Sequence, residues 1–322
     1  MKEYYIGVDL GGTKILTAIA DGEGKIIARK KLSTEAEKGQ EVIIKNIEET
    51  INSVLQKSGI KKSNVKKIGI GSPGPLSTAK GVIYETANLP WKNVPIVDIM
   101  EEKTGIPVQL ENDANAAGLG EKWFGAGKGV DDLIYITVST GVGGGIIIDK
   151  KALQGYDGAA GEIGHMTIQP AGPQCGCGNY GCLESFASGT AIAREGRKAL
   201  KEDKSHVLKE LSDNNPDKID AYLVAQGAFK GDEVCKEIYN KAGYYLGIGI
   251  ANLINIFNPE MIVMGGGVWK DEELLKDAMW ESLEERALSS SLEQVEICKV
   301  KLGDDTGVKG AIAVAMEEKL LS

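Results

Sequence analysis

Two apolar strands flanking a glycine-rich turn occur twice in this chain, once at the N-terminus and once near the middle. The first copy runs through residues 4–9 (Tyr-Tyr-Ile-Gly-Val-Asp), the turn Leu10-Gly11-Gly12-Thr13-Lys14, and residues 15–20 (Ile-Leu-Thr-Ala-Ile-Ala). The second runs through 132–139 and 145–149, flanking Ser139-Thr140-Gly141-Val142-Gly143-Gly144-Gly145. So short a turn between apolar runs joins neighbouring antiparallel strands. Each copy therefore opens a meander and not the strand–loop–helix of a Walker-type phosphate site. The recurrence predicts a diverged internal duplication, and 322 residues exceed one comfortable core, so two domains are expected.

The rest of the chain fills in around these copies. Asp21-Gly22 and Gly24 mark a turn before a third strand at 25–33. Ile44, Ile47, Ile51, Val54 and Leu55 share one face of a helix predicted over 40–58. A strand at 65–71 ends in Ser72-Pro73-Gly74-Pro75, and another at 106–111 leads through Asn112-Asp113 into a small-residue helix ending near 124. Helices are expected at 187–201 and 232–257, and a strand at 261–264 before Gly265-Gly266-Gly267-Val268. A last helix, 306–319, should pack back on the first domain. The predicted division is a small N-terminal α/β domain of 1–113 plus 303–322, and a large α/β domain of 114–302.

Composition narrows the function classes. Apolar residues make up 42% and charged residues 26%, as in an ordinary soluble enzyme. A net charge of −9 disfavours a nucleic-acid partner, which calls for Lys and Arg surfaces. No run of about 18 apolar residues suggests a membrane span, and the first residues lack a secretory pattern. A cytoplasmic location is expected, and in that reducing compartment the clustered cysteines point to metal or redox chemistry before disulfides.

Five constellations carry chemistry. In Asp9-Leu10-Gly11-Gly12-Thr13-Lys14, bare glycines let backbone N–H groups approach phosphate, Thr13 and Lys14 add donors, and Asp9 suits a hydrated Mg²⁺. A plain hairpin turn with an aspartate fits the same residues. Ser139–Gly145 holds four glycines in seven residues, which suits a second phosphate-facing turn, although a glycine-lined strand crossing is the alternative. Asp113, between strand and helix, is either a carboxylate held as the anion by the helix terminus or simply an N-cap. Gly265-Gly266-Gly267 lets a flat nucleotide lie on the backbone, or serves as a strand-to-helix turn. Finally, Gly161-Glu162-Ile163-Gly164-His165 precedes Cys175, Cys177 and Cys182, three cysteines within eight residues. Three thiolates and an imidazole suit a closed, structural zinc site, with a disulfide or redox pair as alternatives. Cys235 and Cys298 are expected in the core, and His206 in solvent.

These features, in this order, resemble the ROK family over essentially the whole chain, most specifically from Ile136 through Gly155 to Gly161-Glu162-Ile163-Gly164-His165 and the cysteines. The likeness is to the family's ATP-dependent kinases of glucose. It implies an actin-like, ribonuclease-H-like fold of two α/β domains around a cleft, and a homodimer or homotetramer. It implies Asp113 as general base. It implies Asn112, Asp113, Glu162, His165 and Glu184 as sugar contacts, with Gly71 and Asn88 added from the Gly-Ser-Pro-Gly and Ala-Asn-Leu-Pro loops. His165, Cys175, Cys177 and Cys182 match the family's zinc ligands, so His165 would serve both metal and sugar. Asp9, Gly11, Gly12, Thr13, Lys14, Thr140, Gly141, Gly143, Gly144, Gly265, Gly266 and Gly267 match its ATP-contacting segments. Leu89-Pro90-Trp91 departs from the family's Leu-Pro-Gly-Trp. Cys175-Gly176-Cys177 lacks the histidine that fructose-specific relatives tend to carry, which favours the glucose or N-acetylhexosamine branch. The family's transcription factors place a helix-turn-helix before the first strand, and here that strand begins by residue 4.

The expected activity is phosphoryl transfer from ATP to a hexose, glucose 6-phosphate being the expected product. The alternatives are an N-acetylhexosamine kinase, which would share every catalytic residue, and a sugar-sensing regulator without chemistry. Zinc is expected as a scaffold for the sugar contacts, with nucleotide binding nearly unaffected by its loss because the glycine turns lie elsewhere.

Overall fold

The computed structural model describes residues 2–86 and 89–321. The first part of the chain forms β1 (Tyr4–Leu10), β2 (Lys14–Asp21), β3 (Ile26–Ser33), α1 (Gln40–Ser58), β4 (Val65–Ser72), β5 (Leu76–Ser77), β6 (Val82–Thr86), β7 (Leu89–Val94), α2 (Ile96–Thr104), β8 (Val108–Asn112) and α3 (Asp113–Phe124). Then come β9 (Leu133–Val138), β10 (Val142–Ile148), β11 (Lys151–Ala152), α4 (Glu184–Ala187), α5 (Gly189–Lys201), α6 (His206–Leu211), α7 (Ala221–Phe229) and α8 (Glu233–Phe257). The chain ends with β12 (Met261–Gly265), α9 (Lys276–Glu284), α10 (Ser289–Leu292), β13 (Glu296–Lys299), α11 (Thr306–Ala315) and α12 (Glu317–Leu321).

Two five-stranded sheets share one strand order, β3-β2-β1-β4-β8 and β11-β10-β9-β12-β13. Each has its first strand in the centre, its hairpin partners on one side and its later strands on the other. The repeated strand–turn–strand of the sequence is thus a repeat of topology. The chain forms two compact units, residues 1–135, 145–161 and 298–322 in one, and 136–144 with 162–297 in the other. These limits differ from the division expected at 113/114, because α3 packs on α11 and stays with the first unit.

In the first unit the period of the strands decides which residue meets which helix. Ile6, Val8 and Leu10 of β1, with Ile15 and Ile19 of β2, join Ile43, Ile47, Ile51 and Val54 of α1 in one buried cluster. Thr17, on that same face, bonds Thr50 of α1 at 2.7 Å between hydroxyls. The alternate residues Tyr5, Leu16, Ala18 and Ala20 pack on Val308, Ile312 and Ala315 of α11. The C-terminal helix therefore does return to the first sheet. It breaks at Met316 instead of running to 319, so the expected single helix is two, α11 and α12.

In the second unit α8 starts at Asp232, whose carboxylate caps Cys235 N at 2.9 Å, and packs on α4, α7 and α9. The helix expected at 187–201 is α5, which starts two residues later because Ser188 leaves the helical region and caps it through Ala191 N at 3.1 Å.

Three more expectations need correction. The Leu89-Pro90-Trp91 stretch, read as loop, begins strand β7 of a three-stranded sheet, β5-β6-β7. Pro90 is tolerated there because β7 is an edge strand. Asn88 lies outside the described residues. Strand β10 begins at Val142, so Gly143, Gly144 and Gly145 are strand residues, and the turn is only Ser139–Gly141, closed by Ser139 N to Gly141 O at 2.8 Å. Cys298 is half-buried on β13 and not in the core, whereas Cys235 is fully buried and His206 exposed.

Candidate active site and metal centre

In the first unit β1, β4 and β8 run parallel, and their register sets Asp9 beside Gly71, Gly71 beside Glu111, and Ser72 beside Asn112. The carboxyl ends of parallel strands are where α/β sheets gather ligand-binding groups. Asn112 is the N-cap of α3, its Oδ1 accepting from Ala114 N at 2.9 Å and Asn115 N at 3.3 Å. The capping role that Asp113 could have filled thus belongs to its neighbour. Asp113 is the first helical residue, exposed, with Oδ1 accepting from Ala114 N at 2.8 Å.

Asp9 points to the α11 side of the sheet, where Gly307 makes room for it: a Cβ there would lie 2.7 Å from its Cγ. Burial pushes the Asp9 carboxyl above the usual range, and Lys14 opposes that shift. A half-buried carboxylate at the end of a strand suits a site completed by a bound metal ion. The Gly11–Lys14 turn is closed by Gly11 N to Lys14 O at 3.0 Å and anchored by Thr34, whose Oγ1 donates to Gly11 O at 2.5 Å. Thr13 and Lys14 are exposed on it. Gly71 has a packing reason as well, since a Cβ would come within 3.3 Å of Ala116 in α3.

Sequence reasoning missed Glu111, Asn115 and Gln154. Glu111 is 2% exposed and one residue from Asn112. Its Oε1 accepts from Asn112 N at 2.9 Å and Asn115 Nδ2 at 3.0 Å, and its Oε2 from Gln154 Nε2 at 2.7 Å. Burial raises its pKa, while these donors act in the opposite sense. The only hint in the sequence is the position of an acidic residue inside an apolar strand.

In the second unit one ligand atom each from His165, Cys175, Cys177 and Cys182 lies within 4.8 Å of the others. Cys175 Sγ is 3.6 Å from His165 Nδ1, and Cys177 Sγ is 3.7 Å from Cys182 Sγ, well beyond a disulfide bond. The backbone curls tightly here, with Cys175 N donating to Asn179 O at 2.7 Å and Gly178 N to Cys175 O at 3.0 Å. Desolvation first, then the neighbouring thiols, push Cys182 up to about 12. The Asn179 N–H lowers Cys177, the exposed member. Three convergent thiols and an imidazole are the donor set of a tetrahedral zinc site, where the cation itself keeps the thiols ionised.

Two carboxylates frame this cluster. Glu162 Oε2 is 4.0 Å from His165 Nε2, on the ring edge opposite the nitrogen nearest Cys175. Glu184, at the start of α4, accepts from Val142 N at 3.0 Å through Oε2, and its Oε1 is 3.8 Å from Cys175 Sγ. The side chains of Glu184 and Ile163 occupy the space that Cβ atoms at Gly141 and Gly144 would need. These glycines thus have structural neighbours within the protein, independent of any phosphate.

A separate cavity of about 450 Å³ in this unit is lined by Thr140, Arg197, Asp220, Tyr222, Gly267 and Asp271, among others. Thr140 and Gly267 were legible in the sequence, while Arg197, Asp220, Tyr222 and Asp271 were not, because they sit on helices or loops without a motif. Gly266, at φ +99, lies against the Val138 backbone. Burial raises the pKa of Asp271.

Known proteins resemble this chain over nearly its whole length. The family model described as ROK family matches residues 5–318. A glucokinase of Thermotoga maritima is 38% identical over 313 residues, covering 97% of each chain. A xylose repressor of Caldicellulosiruptor bescii is 36% identical over 315 residues, covering 98% of this chain and 78% of its own. The crystal structure of a ROK family glucokinase from Streptomyces griseus in complex with glucose and AMPPNP is 35% identical and superposes with a TM-score of 0.81, covering 98% of this chain and 99% of that one.

Proposed function

This chain belongs to the ROK family, and we propose from that premise that it is an ATP-dependent hexose kinase converting glucose to glucose 6-phosphate. Its α/β fold is the actin-like, ribonuclease-H-like one. The observation that carries the reading is Asp113: an exposed carboxylate on the first turn of a helix at the carboxyl ends of parallel strands, in a chain 38% identical to a glucokinase over nearly its whole length.

Asp113 takes the proton of the attacking sugar hydroxyl as its oxygen bonds to the γ-phosphorus. The bond from phosphorus to the bridging oxygen breaks, and ADP leaves. Asn112, Glu162, His165 and Glu184 hold the sugar hydroxyls by hydrogen bonds, with Gly71 and Asn88 as further contacts. The Gly11–Lys14 and Ser139–Gly141 turns, with Gly143 and Gly144, hold phosphates through backbone N–H groups, and Gly265–Gly267 together with the Thr140 and Asp271 cavity take the nucleoside. Magnesium, when bound, neutralises phosphate charge, and Asp9 is the carboxylate that would hold it. His165, Cys175, Cys177 and Cys182 would hold zinc, which keeps the segment from Glu162 to Glu184 in shape. Positioning supplies most of the rate, and the base contributes about 10²–10⁴-fold.

No helix among the described residues is long and apolar enough to cross a membrane. A cytoplasmic enzyme acting as a homodimer or homotetramer is the reading we favour.

The match to a xylose repressor supports a second reading, a sugar-binding regulator without turnover. A coupled assay of ADP release over glucose, fructose, N-acetylglucosamine, N-acetylmannosamine and xylose separates the two. Glucose should give the highest kcat/KM, and sugar binding without turnover would favour the regulator. Asp113→Asn should lower kcat at least about 100-fold with the glucose Kd nearly unchanged, because the amide keeps the shape but cannot take a proton. A variant keeping more than about a tenth of kcat would remove Asp113 from the role of base.

A further inference from the structure

We infer that Glu111 is a positioning residue that ties the Asn112-Asp113 segment to the loop leading into Glu162, with Gln154 as its partner. This rests on the reading of Asn112, Asp113 and Glu162 as sugar-site residues.

The geometry is a three-way junction on one carboxylate. Through Oε1, Glu111 holds the backbone of Asn112 and the side chain of Asn115, fixing the turn from β8 into α3 on which Asp113 sits. Through Oε2 it holds Gln154, two residues after β11 and 43 positions along the chain. Gln154 in turn closes the loop it begins, its carbonyl accepting from Ala160 N at 3.2 Å. Gly158 of that loop lies against Ser77 and Leu76 of β5. Two residues after Ala160 the chain reaches Glu162. The rest of the loop is open, with Tyr156 wholly exposed at its tip. A buried carboxylate is costly to keep without a cation beside it. Its hydrogen-bond partners are all amide groups, so what offsets that cost is the set of three donors it orders. Were Glu111 merely filling the core, an apolar residue would serve the β8 position at lower cost.

The pairing makes a specific prediction about charge. In Gln154→Glu two carboxyls face each other, and like charge raises the pair's apparent pKa. Below that pKa one shared proton keeps the contact; above it the two repel and the loop is released. The KM for glucose should therefore rise about tenfold at pH 8.5 and fall back to within about twofold of the parent at pH 6. The kcat should move little at either pH, since Asp113 itself is intact. Glu111→Gln combined with Gln154→Glu restores a carboxyl–amide pair with the roles exchanged, and should return KM to within about threefold of the parent with the parent's pH profile. Gln154→Ala, a change at a half-buried surface position, should raise KM at all pH values without the added slope.

The full-length enzyme and these three variants would be assayed across pH 6–8.5. Unchanged glucose KM in both Gln154→Ala and Gln154→Glu at every pH overturns the inference. So does a double variant no better than Gln154→Glu alone. If the parent phosphorylates no hexose, the proposed function fails instead, and that result is distinct from a parent that turns over and variants that match it.

Discussion

Glu121 in α3 is fully buried, yet both of its oxygens are occupied. Oε1 accepts from Leu302 N at 3.0 Å and Thr306 Oγ1 at 3.2 Å, and Oε2 from Ala126 N at 2.9 Å and Lys301 N at 3.1 Å. One side chain thus joins the end of α3 to the segment that opens α11. Gln at this position would turn an N–H₂ group toward backbone N–H donors and leave them unmet. We expect Glu121→Gln to cost about 2–4 kcal/mol, at about 1–3 kcal/mol for each buried donor left unsatisfied. The measurement is the midpoint of urea unfolding followed by circular dichroism, and a midpoint equal to that of the parent would refute it. Glu111 follows the same logic with a different readout. Glu121 holds structure alone, whereas Glu111 touches the segment carrying Asp113.

At the scale of elements, α11 is the most telling. It lies against β1, β4 and α3 at once, and only small residues allow so close an approach. At Gly69 of β4 a Cβ would overlap the Ala311 carbonyl, and at Gly310 it would overlap the Ala116 carbonyl of α3. Both obstacles are backbone, which cannot rotate aside as a side chain can. Gly310→Ala should therefore destabilise the protein by more than about 2 kcal/mol despite the gain in helix propensity, which is worth only about 1 kcal/mol. Thermal unfolding would test this, and an unchanged or raised Tm would mean that α11 can shift away from α3. The same helix backs Asp9 through Gly307, so displacement of α11 should weaken nucleotide binding along with stability.

For the molecule as a whole, the cluster of His165, Cys175, Cys177 and Cys182 is the proposed zinc site. Zinc loss was expected to leave the nucleotide turns alone, but Val142 N donates to Glu184, whose other oxygen lies near Cys175. The cluster is therefore coupled to the Ser139–Gly141 turn. Cys177→Ala, at the exposed ligand, should remove stoichiometric zinc by elemental analysis, raise glucose KM at least about tenfold, and weaken an ATP analogue by a smaller factor. A metal-free variant with the parent's glucose affinity would contradict the scaffold role. Much of this protein could be read directly from the chain: the alternation of β1 and β2, the apolar face of α1, and the cysteines and histidine whose clustering anticipates four convergent donor atoms. Such signals are local, set by periods of two or 3.6 residues or by a turn of a few glycines. Tertiary structure alone decided that Asn112 and not Asp113 caps α3, that Gly143 to Gly145 belong to a strand, and that Glu111 meets Gln154 and Glu121 meets Thr306. Those partners are 43 and 185 positions apart, and a buried carboxylate is satisfied by whichever donors the strand order delivers, which no local pattern encodes.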